Sequence, residues 1–111
     1  HLLDERKKTY KNHIVSNVQK YIGEHIEEKL TLNDIASVFH ISPNYLSLLF
    51  KKYNDAGFSE YISQMKIARA KELMAEGNLK IYEIADRLGF ESAFYFSKVF
   101  KKETGKNPKD Y

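Results

Sequence analysis

The chain has 111 residues, of which 42% are hydrophobic and 30% charged, and a net charge of +3. That is one domain or two very small ones, with apolar material for a core. Cysteine is absent, which excludes disulfide scaffolds, thiolate metal sites and cysteine nucleophiles, and no apolar run approaches the roughly 20 residues of a membrane helix.

The chain opens at His1 without a methionine, which suggests a piece of a longer or processed protein, and no basic-then-apolar signal segment follows. Residues 1–29 read as helix, with Ile14, Val18, Tyr21 and Ile22 on the 3.6-residue period and a weaker stretch from Gly23 to Lys29. Thr31, with Asp34 three residues on, caps a helix to about Phe39. Ser42 and Pro43 are an N-cap and a first helical residue for a helix to about Tyr53. After a loop at Asn54–Gly57, a long helix runs from Phe58 to Glu76, and Gly77-Asn78 stops it. Ile81 to Leu88 is a short helix ended by Gly89. Ser92 caps a last helix to about Glu103, and Thr104, Gly105 and Pro108 mark its end. No strand pattern competes, so the fold class is all-α, with about seven helices.

An internal repeat organises these helices. LTLNDIASVFHISPNYLSLLFKK, from Leu30, aligns with LKIYEIADRLGFESAFYFSKVFKK, from Leu79, across a one-residue insertion. Ile35-Ala36 matches Ile84-Ala85. Ser42, Tyr45 and Ser47 match Ser92, Tyr95 and Ser97. Phe50 matches Phe100, and Tyr61 matches Tyr111. Each copy is a short helix, a tight turn and a second helix, with Ala36 and Ala85 small enough for a close crossing. Ile35, Phe39, Ile41, Leu46 and Leu49 are the expected core of the first copy, and Ile84, Leu88, Phe90, Phe96 and Val99 that of the second. Gly89 suits a left-handed turn, whereas His40 stands there in the first copy. This is a helix-turn-helix pattern, twice. The expected organisation is residues 1–57 as an N-terminal helix plus the first subdomain, 58–76 as a linker helix, and 77–111 as the second subdomain.

Each copy's second helix has an outward face: Asn44, Ser47, Leu48 and Lys51 in the first, Phe94, Ser97, Lys98 and Lys101 in the second. Residues 43–52 hold two lysines and 92–102 hold three, and neither stretch contains any of the chain's 15 acids. A solvated face usually mixes both signs, so this sorting fits a surface that meets phosphate. Asn can pair with adenine and Lys with guanine. Ser42 and Ser92 can cap their helices, hold phosphates, or do both. Leu48 and Phe94 could touch a thymine methyl or pack on a neighbouring helix.

These stretches, with FSEYI and IYEIADRLGFES followed by YFSKVFKKETGKNP, resemble the DNA-binding region of the AraC/XylS transcription regulators, from about Val18 to Tyr111. The opening helix and spacing also look like the output domain of YesN-type response regulators. The resemblance implies two helix-turn-helix subdomains joined by a long linker helix, with each second helix in the major groove of double-stranded DNA. By that likeness the base-facing positions are Asn44, Ser47, Leu48, Ala93, Phe94, Ser97 and Lys98. Ser42, Lys51, Lys52, Ser92, Lys101 and Lys102 face phosphate. The family often has a basic residue where Leu48 stands and a glycine where Asp55 stands. It further implies a bacterial cytoplasmic regulator with an N-terminal sensor or receiver domain and RNA polymerase as a further partner. A bridge of roughly 18 residues, about 27 Å long, would suit adjacent major grooves about 34 Å apart. Its stripe assigns Phe58, Tyr61, Ile62 and Met65 to the first unit, and Ala70, Leu73 and Met74 to the second.

Catalysis is not expected. His1, His13, His25 and His40 show no HExxH or other ligand spacing, and there is no Gly-rich phosphate loop or nucleophile–base pair. No metal or cofactor is expected either. Some members of the family carry methyl-accepting cysteine domains, an activity that zero cysteines exclude here. The alternative is a helical protein-interaction module that does not bind DNA, distinguished by salt-dependent binding to random duplex.

Overall fold

A computed structural model describes residues 2–111, with side chains described for Arg6 and from Thr9 onward. It contains six α-helices and one 3₁₀ helix among the described residues: α1 (Leu2–Glu24), α2 (Leu32–Val38), α3 (Pro43–Tyr53), α4 (Phe58–Glu76), α5 (Ile81–Arg87), α6 (Ala93–Thr104) and a terminal 3₁₀ turn (Pro108–Asp110). The all-α reading holds. Its helices are set by local chemistry. Thr31 Oγ1 accepts from the Asp34 N–H at 3.1 Å, and Ser42 Oγ and Ser92 Oγ accept from the N–H of Tyr45 and Tyr95 at 3.1 and 3.0 Å. The Glu83 carboxylate accepts from the Lys80 N–H at 2.9 Å, which starts α5 without a hydroxyl cap. Gly105 closes α6 at φ 84°.

The first helix is shorter than its periodicity suggests. It stops at Glu24 rather than Lys29, and His25–Glu28 forms a turn in which the Glu28 N–H reaches the His25 carbonyl at 2.9 Å. Val18 and Ile22 are buried as expected, together with Val15.

The chain divides into two compact units. The first comprises the chain up to Glu24 together with Leu30–Tyr61. Here α1 and α2 pack on α3. Ile35, Ala36, Leu46, Leu49 and Phe50 are buried, while Phe39 and Ile41 are half-buried. Phe50 stacks edge-on against Phe58 and Tyr61, at centroid distances of 5.6 and 5.2 Å. Gln19 Nε2 donates to Asn54 Oδ1 at 3.0 Å, tying α1 to the loop behind α3.

The second unit comprises His25–Lys29 and Ile62–Tyr111. Ile62 and Met65, expected to serve the first unit, therefore count with the second; the first unit takes only the opening turn of α4, whose Phe58 and Tyr61 stack on Phe50. Ile67, Ala70, Leu73, Ile84, Ala85, Leu88, Phe96 and Phe100 form the core, with Phe90 and Val99 half-buried against it. Phe100 stacks on Tyr111 at 5.1 Å, matching the Phe50–Tyr61 pair of the first unit.

Both turns use a left-handed residue: His40 at φ 56° and Gly89 at φ 77°. The Ile41 and Phe90 N–H groups then reach back to the Ala36 and Ala85 carbonyls at 3.1 and 3.0 Å. The two positions differ in space. A Cβ on Gly89 would stand 3.1 Å from the Lys29 nitrogen and 3.2 Å from the Glu28 carbonyl carbon and oxygen. His40 has room for its exposed side chain. Gly89→Ala is therefore expected to cost about 1–2 kcal/mol for the left-handed backbone, with more for the contact. His40→Gly should change stability by less than about 1 kcal/mol. Urea unfolding of both variants checks this, and equal effects would remove the role given to the close approach.

Candidate nucleic-acid interface

In the first unit the outward face of α3 is built as the sequence suggests. Asn44, Ser47, Leu48, Lys51 and Lys52 are all exposed, as is the cap Ser42. Leu48 is 68% exposed, so it is not part of its unit's core. Pro43 has no N–H to offer, so the Asn44 N–H and the Ser42 hydroxyl are the donors at this helix start.

In the second unit Phe94, Lys98, Lys101, Lys102 and the cap Ser92 are exposed, while Ala93 and Ser97 are half-buried. Ala93 lies partly against the core, which leaves its backbone rather than its methyl as the more available group. Phe94 is 72% exposed, and the Lys98 ammonium lies over its ring, 5.2 Å from the centroid. This i, i+4 pair forms one patch, apolar with a cation at its edge. Ala93 and Phe94 precede the first intrahelical hydrogen bonds, so their N–H groups add donors at the helix start.

The two serine oxygens are engaged as caps, yet each hydroxyl keeps its hydrogen for an outside acceptor. Lys51, Lys52, Lys101 and Lys102 occupy the last turns of their helices, where they also complement the helix dipole. The α6 helix runs past residue 102 and takes in Glu103, a half-buried acid at the end away from Ser92. Tyr45 and Tyr95, matched in the repeat, are both exposed, and their backbone N–H groups are the ones the two cap serines accept from. Their pairing in the alignment was the signal for this.

A groove beside the start of α6 is lined by Tyr82, Glu83, Asp86, Phe90, Glu91 and Ser92. Its three carboxylates, Glu83, Asp86 and Glu91, stand on one side of Ser92 and Ala93 and oppose a phosphate that approaches from that side.

The histidines do not gather. His13 and His40 are exposed, His25 pairs with Glu28, and His1 lies outside the described residues. Among the described residues no group of three or more His, Asp or Glu is placed to hold a metal ion, and no helix is long and apolar enough to cross a membrane.

Residues 35–111 match the family of the helix-turn-helix domain. The chain is 39% identical over 94 residues to YijO of Escherichia coli K12, an HTH-type transcriptional regulator, covering 85% of this chain and 33% of that protein. Its fold is similar to the C-terminal domain of AraT, a response regulator from Geobacillus stearothermophilus, with a TM-score of 0.84 at 35% identity over 88% of this chain and 82% of that one. It is also similar to the C-terminal domain of the two-component response regulator YesN from Fusobacterium nucleatum, with a TM-score of 0.81 at 36% identity over 86% and 94% of the two chains. The chain spans 13–44% of the length of these curated relatives.

Proposed function

The chain belongs to the AraC-type family of helix-turn-helix transcription regulators, and from that premise we propose that it reads a specific duplex sequence with α3 and α6 in adjacent major grooves. Membership makes it a DNA-binding domain of transcription regulation. The finer assignment is carried by one observation: both second helices carry exposed lysines, each has an exposed serine hydroxyl at its start, and neither helix itself has an exposed acid. Asn44, Ser47, Leu48, Ala93, Phe94, Ser97 and Lys98 are the base-facing set. Ser42, Lys51, Lys52, Ser92, Lys101 and Lys102 hold phosphate. Binding rather than catalysis is the work of this segment, and it is done in the cytoplasm, where the duplex is. In the full-length protein an N-terminal sensor or receiver domain controls it, a reading supported by the response-regulator neighbours and by the length of the relatives.

The test separates the two kinds of lysine. Lys98→Ala should weaken binding to a selected duplex by about 1–3 kcal/mol more than binding to random duplex, since a base contact discriminates and a phosphate contact does not. Lys101→Ala should weaken both alike and lower the slope of log K against log salt by about one unit. Anisotropy titrations at several salt concentrations measure both. Equal losses for Lys98 on the two duplexes would move it to the phosphate set.

A further inference from the structure

Residues 25–29 follow α1 in sequence, yet they are built into the second unit. The Lys66 side chain, on α4, is what holds them. It is 7% exposed, and its ammonium donates to the carbonyls of Ile26 at 2.8 Å, Glu28 at 2.7 Å and Leu88 at 2.5 Å. All three of its donors are used. Around it, the Glu27 carboxylate takes Arg69 at 3.1 Å and Arg87 at 3.3 Å, and Lys29 faces Glu91 at 3.9 Å. The backbone of Glu28 and Lys29 lies so close to Gly89 that a Cβ there would stand 3.1–3.2 Å from it and the strap would have to give way. The strap therefore presses on the turn from which α6 starts, and Lys66 bonds both the strap and that turn.

A buried ammonium is a costly way to fill space, and an apolar side chain of the same volume would serve packing better. Burial pushes its pKa down to about 8, against the pull of Glu28, so it is still mostly protonated at pH 7. What the ammonium adds over a methyl group is direction. It fixes the Leu88 carbonyl relative to two strap carbonyls, and Gly89 and Phe90 follow at once.

We infer that the 25–29 strap is a positioning element of the second reading unit, and that Lys66, through the Leu88–Gly89 turn, is a positioning residue that sets the aim of α6 on the base edges. This rests on the reading of α6 as a base-reading helix. Base contacts need their groups held to within about 0.5 Å, whereas phosphate contacts carry no such demand for sequence. Loosening the turn should then cost discrimination before it costs bulk binding.

The experiment compares the whole chain with Lys66→Met and Glu27→Gln at pH 7, on a selected duplex and on random duplex of the same length. Circular dichroism sets a temperature at which each protein is folded. Lys66→Met should lower the ratio of specific to random affinity by about fivefold, a loss worth about 1 kcal/mol, and change random binding less. Glu27→Gln, which buries no new cavity, should lower the ratio in the same direction by a smaller factor. If Lys66→Met does not fold, Glu27→Gln alone decides. A wild-type ratio in the folded variants, or an equal loss on both duplexes, overturns the inference. Failure of the unaltered chain to bind any duplex would instead overturn the reading it rests on.

Discussion

Phe100→Ala is expected to lower the unfolding free energy by about 3–5 kcal/mol, a large share of what a small protein has. The Phe100 ring is fully buried, with Phe96 at 5.8 Å and Tyr111 at 5.1 Å between centroids. Removing it leaves a cavity between α6 and the 3₁₀ turn, and Tyr111 loses the surface it rests on. Phe94→Ala, six residues earlier on the same helix, removes the same side chain from an exposed site and should change stability by less than about 0.5 kcal/mol. Urea unfolding followed by far-ultraviolet circular dichroism measures both. A loss below about 1 kcal/mol for Phe100→Ala would show that the end of the chain does not close the second core.

For DNA, the double change Phe94→Ala with Lys98→Ala should cost more discrimination than Asn44→Ala. The two helices align so that Lys98 stands where the first has Leu48, and Phe94 where it has Asn44. On the proposed reading the first unit offers an amide and a hydroxyl, with its first cation at Lys51, a turn further from the helix start. The second offers an ammonium that already lies over an exposed ring, a pair suited to a guanine acceptor and a thymine methyl. Each base contact is worth about 1–3 kcal/mol, and because Phe94 and Lys98 touch, their losses will not simply add. Competition titrations against mutated operators give the comparison. A larger loss for Asn44→Ala would make the first unit the main reader.

Much of this architecture was legible in the residues because the signals are local. Ser42-Pro43, Ser92 and Gly89 mark helix ends through their own side chains or the lack of one, and the repeat places the second helices side by side in sequence. The strap was not legible. Its acceptors are main-chain carbonyls, which leave no pattern, and the lysine that binds them looks like any other in a helix with mixed charge. One trace existed: Ile62, Lys66, Ala70 and Leu73 lie on one helical stripe, in which a single lysine interrupts buried apolar positions. The end of α1 leaves no mark in the sequence for a related reason, since residues 24–29 are mostly helix-forming while the Ile26 and Glu28 carbonyls are taken by a distant side chain.

The most direct measurement is a methylation-interference and hydroxyl-radical footprint of the chain on a duplex selected from random sequence. The account predicts interference at guanine N7, in the major groove, in two tracts on one face of the duplex about 10 base pairs apart. A single protected tract, or interference confined to adenine N3 in the minor groove, would contradict it.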